Sequence, residues 1–244
     1  MPYLILSDLH SNREALDAVL EDAGEAYPEG FAATLCLGDL VGYGADPAYT
    51  IAWAKESAKV VIRGNHDKVC SGLDSLELYN SAAQISAAWT HSILNTGQLE
   101  YLRGLVRGPL HFDGFDLVHG SPRDEDEYLV QPGQANDVRE FLDGPLTFFG
   151  HTHVQGGFLL TPGGTMPIQS KMTLELEPDR FYLVNPGSVG QPRDRDPRAA
   201  YAVYHPENFV VEFRRIAYDV EAASRKILDA GLPSTLAARL HEGR

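Results

Sequence analysis

Short apolar runs in this chain repeatedly end in side chains that bind metals, and this feature constrains the fold more than any other. Five such runs between residues 3 and 149 are each followed, within a few residues, by aspartate, asparagine or histidine. In LTFFGHTH, for example, an apolar run and a glycine precede His151 and His153. Sites in open α/β sheets form just outside the carboxyl ends of the strands. The pattern therefore predicts an α/β fold in which the five clusters converge on one site.

The clusters supply carboxylate, carboxamide and imidazole groups. They comprise Asp8 and His10 after YLIL, Asp39 after ATLCL, Asn65, His66 and Asp67 after VVI, His119 after FDLV, and His151 and His153 after LTFF. Carboxylate oxygen and imidazole nitrogen are good ligands for Mn, Fe, Zn or Ni. An aspartate can bridge two cations, and two cations about 3.5–4 Å apart hold an oxyanion and acidify a water molecule. The set therefore indicates a dinuclear metal site suited to attack on phosphorus.

The periodicity of apolar residues predicts strands alternating with helices in the first two-thirds of the chain, and mainly strands after residue 153. Strands are predicted at residues 3–6, 34–37, 60–62, 115–118, 146–149, 158–160, 172–176, 180–184, 200–204 and 209–213. Helices are predicted at residues 12–25, 47–57, 80–95, 98–105, 135–142, 219–230 and 233–241. Because the sequence contains no internal repeat and no long linker, one domain over residues 1–244 is expected. Residues 69–110 are expected to form a helical insertion on the substrate side.

Composition and charge exclude several classes of partner. The chain has 244 residues and a formal net charge of −14, so it is not expected to bind nucleic acid non-specifically, which requires Lys and Arg to neutralise phosphates. Two cysteines give no disulfide framework, which favours a reducing cytoplasm. The start MPYLILSDLH lacks the features of a secretion signal, and no apolar stretch approaches membrane-spanning length. A soluble cytoplasmic protein without a membrane partner is therefore expected.

The ordered motifs DLH, GDLVG, GNHD, an isolated His119 and GHTH resemble those of the calcineurin-like metallophosphoesterase superfamily. The stretches HGSPRDEDEYL and NPGSVGQPRD are similar to its small bacterial and archaeal phosphodiesterase-like branch. The resemblance covers nearly the whole chain. It implies an α/β fold that is a four-layer α/β/β/α sandwich, with two mixed sheets flanked by helices.

The resemblance also implies which residues hold the cations. One metal would be bound by Asp8, His10, Asp39 and His153, and the second by Asp39, Asn65, His119 and His151. Asp39 would bridge two divalent ions, which are Mn, Fe, Zn, Ni or Mg, with Mn favoured. The implied reaction is attack by a metal-bridging hydroxide with inversion at phosphorus. His66 would stabilise the developing charge and act as general acid for the leaving oxygen.

The chain departs from the superfamily pattern shortly after its first GD. Protein phosphatases of the superfamily carry an aspartate and an arginine at the positions of Gly42 and Tyr43. The aspartate orients the catalytic histidine and the arginine binds phosphate. The enzymes that split diadenosine tetraphosphate symmetrically use the same arginine. Phosphodiester hydrolysis is therefore the first expectation, and the alternative is a phosphomonoesterase, a protein phosphatase or a dinucleoside polyphosphate hydrolase.

Four residues are candidates for contact with the phosphoester substrate. They are Asn12, Arg123, Arg193 and Arg195. A guanidinium group matches phosphate oxygens bidentately. For Arg193 and Arg195, however, the surrounding RDRD also fits a surface loop with internal Arg–Asp pairs, and this interpretation is slightly favoured. Arg123 is open to the same two interpretations, and the nearby run DEDE at residues 124–127 is expected to be a solvated loop.

Two further alternatives concern the substrate and the class of protein. Tyr79, Trp89 and Tyr101 have a helical spacing that is typical of core residues, but one of them exposed over the metals would stack a base and favour a nucleotide substrate. Some members of the superfamily are non-catalytic interaction modules, such as the cargo-sorting subunit of retromer. Those proteins tend to lose the histidines of the site, whereas this chain retains the full set, which favours the enzyme.

Overall fold

The apolar runs become the strands of two six-stranded mixed sheets in the computed structural model, which describes residues 1–77, 79–170 and 173–244. The first sheet contains, in spatial order, Val60–Val61 (β3), Ala33–Cys36 (β2), Tyr3–Leu6 (β1), Ala199–His205 (β11), Val210–Ile216 (β12) and Thr173–Glu175 (β9). The second contains Leu110–Phe112 (β4), Phe115–Leu117 (β5), Leu146–Phe148 (β6), Phe181–Asn185 (β10), Gly156–Thr161 (β7) and Gly164–Gln169 (β8). The strands that precede the ligand clusters are parallel to one another within each sheet: β1, β2 and β3 in the first, β5 and β6 in the second.

Helices flank both sheets, some packed directly on the strands and others on neighbouring helices. They are Arg13–Ala26 (α1), Pro47–Ser57 (α2), Asn65–Cys70 (α3), Ser81–Ile93 (α4), Thr96–Arg103 (α5), Pro132–Asp137 (α6), Val220–Asp229 (α7) and Ser234–Glu242 (α8). A single 3₁₀ turn, Arg139–Phe141, follows α6. Within the described residues, no helix combines the length and the apolar composition that crossing a bilayer requires.

The alternation of side chains along each strand produces the layers. Successive side chains of a strand point to opposite faces of the sheet. Ile5 of β1 accordingly packs between the two sheets with Phe115 and Phe148, while its neighbours Leu4 and Leu6 pack in a separate cluster that includes residues of α1. On the far side, residues of β7 and β10 pack against α6. The α/β/β/α sandwich implied by the sequence resemblance is therefore confirmed.

Most of the predicted elements are present with bounds shifted by at most three residues, and the exceptions have physical causes. The helix predicted at residues 135–142 instead begins at Pro132, whose fixed φ suits the first turn of a helix, and it ends at Asp137 before the 3₁₀ turn. Strands β4 and β8 and the six-residue helix α3 were not predicted. The strand predicted at residues 172–176 begins at Met172, which lies outside the described residues. One domain over residues 1–244, with residues 69–110 as a substrate-side insertion, stays a prediction.

Candidate metal centre

All the predicted ligands come together where the loops after β1, β2, β3, β5 and β6 meet. Two groups have ligand atoms within 4.8 Å of one another: Asp8, His10, Asp39 and His153 form the first, and Asp39, His119 and His151 form the second. Asn65 joins the second group, because its Oδ1 lies 3.1 Å from Nε2 of His119. Asp39 belongs to both groups, as the resemblance implied for a bridging carboxylate.

Backbone carbonyls hold the imidazole nitrogens that face away from the two groups. The contacts are His10 Nδ1 with Val41 O (3.1 Å), His119 Nδ1 with Leu37 O (2.8 Å), His153 Nδ1 with Gln191 O (2.6 Å) and His151 Nε2 with Asp126 O (3.2 Å). In a neutral imidazole the nitrogen that faces a carbonyl carries the proton, so the other ring nitrogen presents a lone pair. Metal-binding histidines in proteins almost always show this arrangement.

The lone pairs fixed in this way face one another at short distance. His10 Nε2 and His153 Nε2 are 3.1 Å apart, and neither nitrogen has a proton to donate to the other. Two nitrogens bound to one tetrahedral cation at about 2.05 Å would lie about 3.3 Å apart. The contact between His119 Nε2 and Asn65 Oδ1 likewise joins two acceptors, because the amide nitrogen of Asn65 bonds to the Tyr79 hydroxyl. A cation between the two atoms would satisfy either contact, and at His119 a proton on Nε2 would do the same in the metal-free protein.

Asp39 provides the most direct test of whether this site fits two cations. Its Oδ1 accepts a hydrogen bond from the backbone N–H of His66 at 2.8 Å. Its Oδ2 is buried, lies 3.6 Å from His10 Nε2 and 3.5 Å from His119 Nε2, and has no hydrogen-bond partner among the described residues. A buried carboxylate oxygen without a partner is costly. Cations on both sides of this oxygen would satisfy it, so the residues fit a dinuclear divalent metal site.

Burial and charge give these groups unusual proton affinities. Burial raises the pKa of Asp8 to about 7. For Asp39 burial also acts to raise the pKa, but positive charge on His119 and His66 holds it well below its usual range. Burial acts to lower the pKa of His119, but the charge of Asp39, a hydrogen bond to Asp39 and the charge of Asp8 together raise this pKa to about 10. The carboxylate of Asp39 thus attracts positive charge to the position that a cation would take.

The backbone at the site is held in a sparsely populated conformation. Five residues of the ligand set have positive φ: Asp8 (54°), His10 (46°), Asp39 (53°), His151 (64°) and His153 (60°). Each such residue costs on the order of 1–3 kcal/mol, and these conformations concentrate at functional sites. Position 64 also requires glycine, because the Cβ atom of any other residue would lie 2.1 Å from Asp39 Oδ1.

His66 lies beside the two groups without belonging to either. Its ring centroid is 5.0 Å from that of His10 and 4.3 Å from that of Tyr43. Its Nδ1 is buried and has no hydrogen-bond partner among the described residues, and a Cβ atom at Gly42 would lie 2.6 Å from it. Burial lowers the pKa of His66 to about 4. Gly42 therefore packs directly against this ring and offers Nδ1 no side-chain partner.

Two polar residues near His66 have structural roles. Asp67 accepts hydrogen bonds from the backbone N–H groups of Gly64 (3.0 Å) and Val41 (3.3 Å), which ties the second ligand loop to the start of α3. The Tyr79 hydroxyl lies 3.0 Å from the amide nitrogen of Asn65 and so turns the amide oxygen toward His119. Tyr79 is thus an aromatic residue at the site.

The other two aromatic residues of the predicted insertion, Trp89 and Tyr101, are partly buried against hydrophobic clusters, as their helical spacing suggested.

The four candidate substrate contacts have different surroundings. Arg193 lies at the site: its backbone N–H bonds to His153 O (3.1 Å) and its guanidinium is 5.5 Å from the centroid of the Tyr43 ring. Asn12 caps α1 by accepting from Ala15 N (3.1 Å) and donates to Gly190 O (2.8 Å). Its polar atoms are therefore used in holding the loop.

Arg123 and Arg195 lie outside the two ligand groups. Arg123 pairs with Glu127 on the surface, and Arg195 is exposed. The internal Arg–Asp pairs expected in RDRD do not form among the described residues, because Asp194 pairs with Arg215 and Asp196 pairs with Arg198 (2.6 Å). Arg193 is left without a carboxylate partner in the described part of the chain.

Sequence reasoning missed Tyr128 and Arg239, which line a cleft of about 530 Å³ together with Tyr43 and Arg193. The Tyr128 ring lies 3.8 Å from the His151 ring and is 46% exposed. The acidic run before Tyr128 is more than a solvated loop, because Glu125 accepts two hydrogen bonds from Arg63 (2.9 and 3.0 Å). This pairing helps to place the loop whose backbone holds His151.

Comparisons with known proteins agree with this geometry. The sequence profile of the family described as calcineurin-like phosphoesterase matches residues 1–155. An uncharacterized protein of Methanocaldococcus jannaschii is 35% identical in an alignment that covers 98% of this chain and 97% of that protein. The crystal structure of a metallophosphoesterase from Sphaerobacter thermophilus has a TM-score of 0.86 and 36% identity, covering 100% of this chain and 99% of that one. The crystal structure of a hypothetical protein from Pyrococcus horikoshii OT3 has a TM-score of 0.80 and 22% identity, covering 100% of this chain and 98% of that one.

Proposed function

This chain belongs to the calcineurin-like phosphoesterase family, and from that premise we propose that it hydrolyses phosphodiesters. Family membership and the buried Asp/His cluster support a phosphoester hydrolase with a dinuclear metal site. The observation that carries the choice of a diester is the cleft of about 530 Å³ lined by Tyr43 and Tyr128, whose rings contact His66 and His151. A diester has a substituent on each side of phosphorus, and this cleft offers room for the second one.

We assign the ligands as the two groups around Asp39: Asp8, His10, Asp39 and His153 for one cation, and Asp39, Asn65, His119 and His151 for the other. When bound, two divalent cations supply positive charge to the phosphoryl oxygens and acidify the water that attacks phosphorus. Manganese is the first choice, since the ligands mix oxygen and nitrogen and include no thiolate.

Two further side chains act on the substrate in this proposal. Arg193 directs its guanidinium to the phosphoryl oxygens, because it lies next to the ligand loop and has no carboxylate partner among the described residues. His66 donates a proton to the leaving oxygen. Burial lowers the pKa of His66 to about 4, but an anionic phosphoryl oxygen beside the ring stabilises its protonated form. Tyr43 packs against both the His66 ring and the Arg193 guanidinium and positions them.

Hydrolysis of bis(p-nitrophenyl) phosphate, p-nitrophenyl phosphate and diadenosine tetraphosphate, each with Mn, Ni, Mg or a chelator, tests the proposed function. We expect the highest kcat/KM for the diester with Mn, and loss of that activity on chelation. A preference for the aryl monoester would identify a phosphomonoesterase, and a preference for the dinucleotide would identify a polyphosphate hydrolase. Failure to cleave any substrate with any metal would support a non-catalytic interaction module.

Replacing Arg193 with alanine should lower kcat/KM for the diester without changing the metal content. A charge-assisted hydrogen bond contributes about 1.5–3 kcal/mol, which corresponds to roughly 10–100-fold. Arg193→Lys should recover only part of the loss, because an ammonium group cannot form the bidentate contact. Arg225→Ala removes the same charge from the exposed surface of α7 and serves as control. Unchanged kcat/KM in Arg193→Ala would refute the assigned role.

A further inference from the structure

The cleft beside the metal centre has a charge opposite to that of the whole chain. The chain has a formal net charge of −14, yet the charged residues that line the cleft are Arg193, Arg239, Arg244 and Glu242. Three positive charges and one negative charge leave an excess of two positive charges. A cleft of about 530 Å³ lies within the roughly 300–1,000 Å³ range of small-molecule sites. Its charge is therefore suited to an anionic ligand.

The ion pairs of these arginines show which of them are available to bind an anion. Arg244 Nη1 pairs with Glu242 at 3.0 Å. Arg193 has no carboxylate partner among the described residues: it donates to the amide oxygen of Gln191 at 3.1 Å and lies beside the hydroxyls of Tyr43 and Tyr128. The Arg239 guanidinium has no hydrogen-bond or carboxylate partner among the described residues. Several other arginines of this acidic chain do pair with carboxylates, as Arg214 does with Asp22 (3.0 Å). Two guanidinium groups therefore line the cleft without a carboxylate that neutralises them.

The position of Arg239 is fixed by the packing of α8. Its neighbours Leu236 and Leu240 are buried in a hydrophobic cluster that also contains Tyr43. At the end of α8, Gly243 adopts φ of 62° and its N–H bonds to the Arg239 carbonyl. The Gly243 carbonyl in turn accepts from the N–H of Arg195, at 2.8 Å. The segment that carries Arg193 and the helix that carries Arg239 are therefore joined directly.

We infer that Arg239 is a specificity residue that binds a second phosphate of the substrate, separate from the phosphodiester that is cleaved. This inference rests on the proposed function and specifies its substrate class. Arg193, next to His153, holds the reacting phosphoryl group, and Arg239 holds the other phosphate in the same cleft. Tyr128 packs against His151 and is 46% exposed, so part of its ring is accessible to a base. A nucleotide diester that carries an additional phosphate combines these features.

Two matched substrates test this inference on the Mn-loaded protein: the p-nitrophenyl ester of thymidine 5′-phosphate with and without a 3′-phosphate. Wild type should have the higher kcat/KM for the 3′-phosphorylated ester. Arg239→Ala should lower that value by about 10-fold or more, and should change the value for the other ester by less than about 2-fold. Arg239→Lys should lie between the two proteins. Arg225→Ala should leave both values unchanged, because Arg225 lies on α7 outside the cleft.

A binding measurement keeps the inference separate from the proposed function. Calorimetry of the Mn-loaded protein with thymidine 3′,5′-bisphosphate and thymidine 5′-monophosphate requires no turnover. Tighter binding of the bisphosphate by wild type, lost in Arg239→Ala, would support the inference even if neither ester is cleaved and the proposed function fails. Equal affinities in wild type, or an equal loss for both ligands or both esters in Arg239→Ala, would overturn it.

Discussion

Replacing Asp39 with alanine is expected to abolish phosphoester hydrolysis and to release bound metal. Asp39 is the residue that both ligand groups share, and its Oδ2 lies 3.6 Å from His10 Nε2 and 3.5 Å from His119 Nε2. Metal ions stabilise a phosphoryl transition state by several kcal/mol, so activity should fall by at least about 10³-fold. Elemental analysis of the purified variant and hydrolysis of the preferred aryl phosphoester would check both parts.

Two variants separate the loss of a ligand from damage to the fold. Asp39→Asn retains an oxygen that can accept the hydrogen bond from His66 N (2.8 Å) but removes the charge that holds the cations. Asp67→Asn alters another buried carboxylate, which bonds to the backbone N–H groups of Gly64 and Val41 and belongs to neither ligand group. It should lower the free energy of unfolding by about 1–3 kcal/mol while retaining metal. Two bound metals or full activity in Asp39→Ala would contradict the assigned centre.

The convergence of the Asp, Asn and His clusters was predictable because it depends on local patterns and one general rule of topology. Each ligand follows an apolar run, and the carboxyl ends of parallel strands meet at one edge of a sheet. His119 illustrates this: it stands alone in the sequence, but it lies two residues after β5, and the backbone N–H of Val118 between them bonds to Phe148 O. Its position after a strand predicted that it would converge with the other clusters, and its pairing with Asp39 was implied by the family resemblance.

The substrate side was not predictable, because it depends on contacts between distant parts of the chain. Arg239 reaches the cleft only because α8 packs on α7 and on Tyr43. The spacing of Tyr79 fits a core helix, and its hydrogen bond to Asn65 appears only in the folded chain. The RDRD segment favoured local ion pairs, but Asp194 pairs with Arg215, which comes from β12.

The elements that were missed lack the periodicity on which prediction depends. Strand β8 has the sequence GTMPIQ, in which Pro167 cannot donate a ladder hydrogen bond, and it lies at the edge of its sheet, where proline is tolerated. Helix α3 has only six residues, too few for an amphipathic pattern. Its start is fixed by the Asp67 side chain, which accepts from the N–H of Gly64 at 3.0 Å. Short elements that are stabilised by tertiary contacts or caps are difficult to predict from sequence periodicity.

Replacing His66 with glutamine is expected to slow hydrolysis more strongly as the leaving group becomes more basic. Proton transfer by a positioned side chain contributes about 10²–10⁴-fold, and a leaving group that is stable as an anion needs it least. The kcat of His66→Gln should therefore be close to wild type for p-nitrophenyl diesters and fall steeply for phenyl and alkyl diesters. Metal content should stay at the wild-type level, since His66 belongs to neither ligand group. A series of diesters of graded leaving-group basicity measures this dependence.

Tyr79→Phe provides the contrasting case for the same substrate series. The variant keeps the ring beside His66 and removes the hydroxyl that holds the amide of Asn65, so it should weaken metal binding without steepening the dependence on the leaving group. Parallel plots of log kcat against leaving-group basicity for wild type and His66→Gln would mean that His66 stabilises charge and does not transfer the proton. A steeper plot for His66→Gln alone would place the general acid on this imidazole, although glycine at position 42 leaves no carboxylate to orient it.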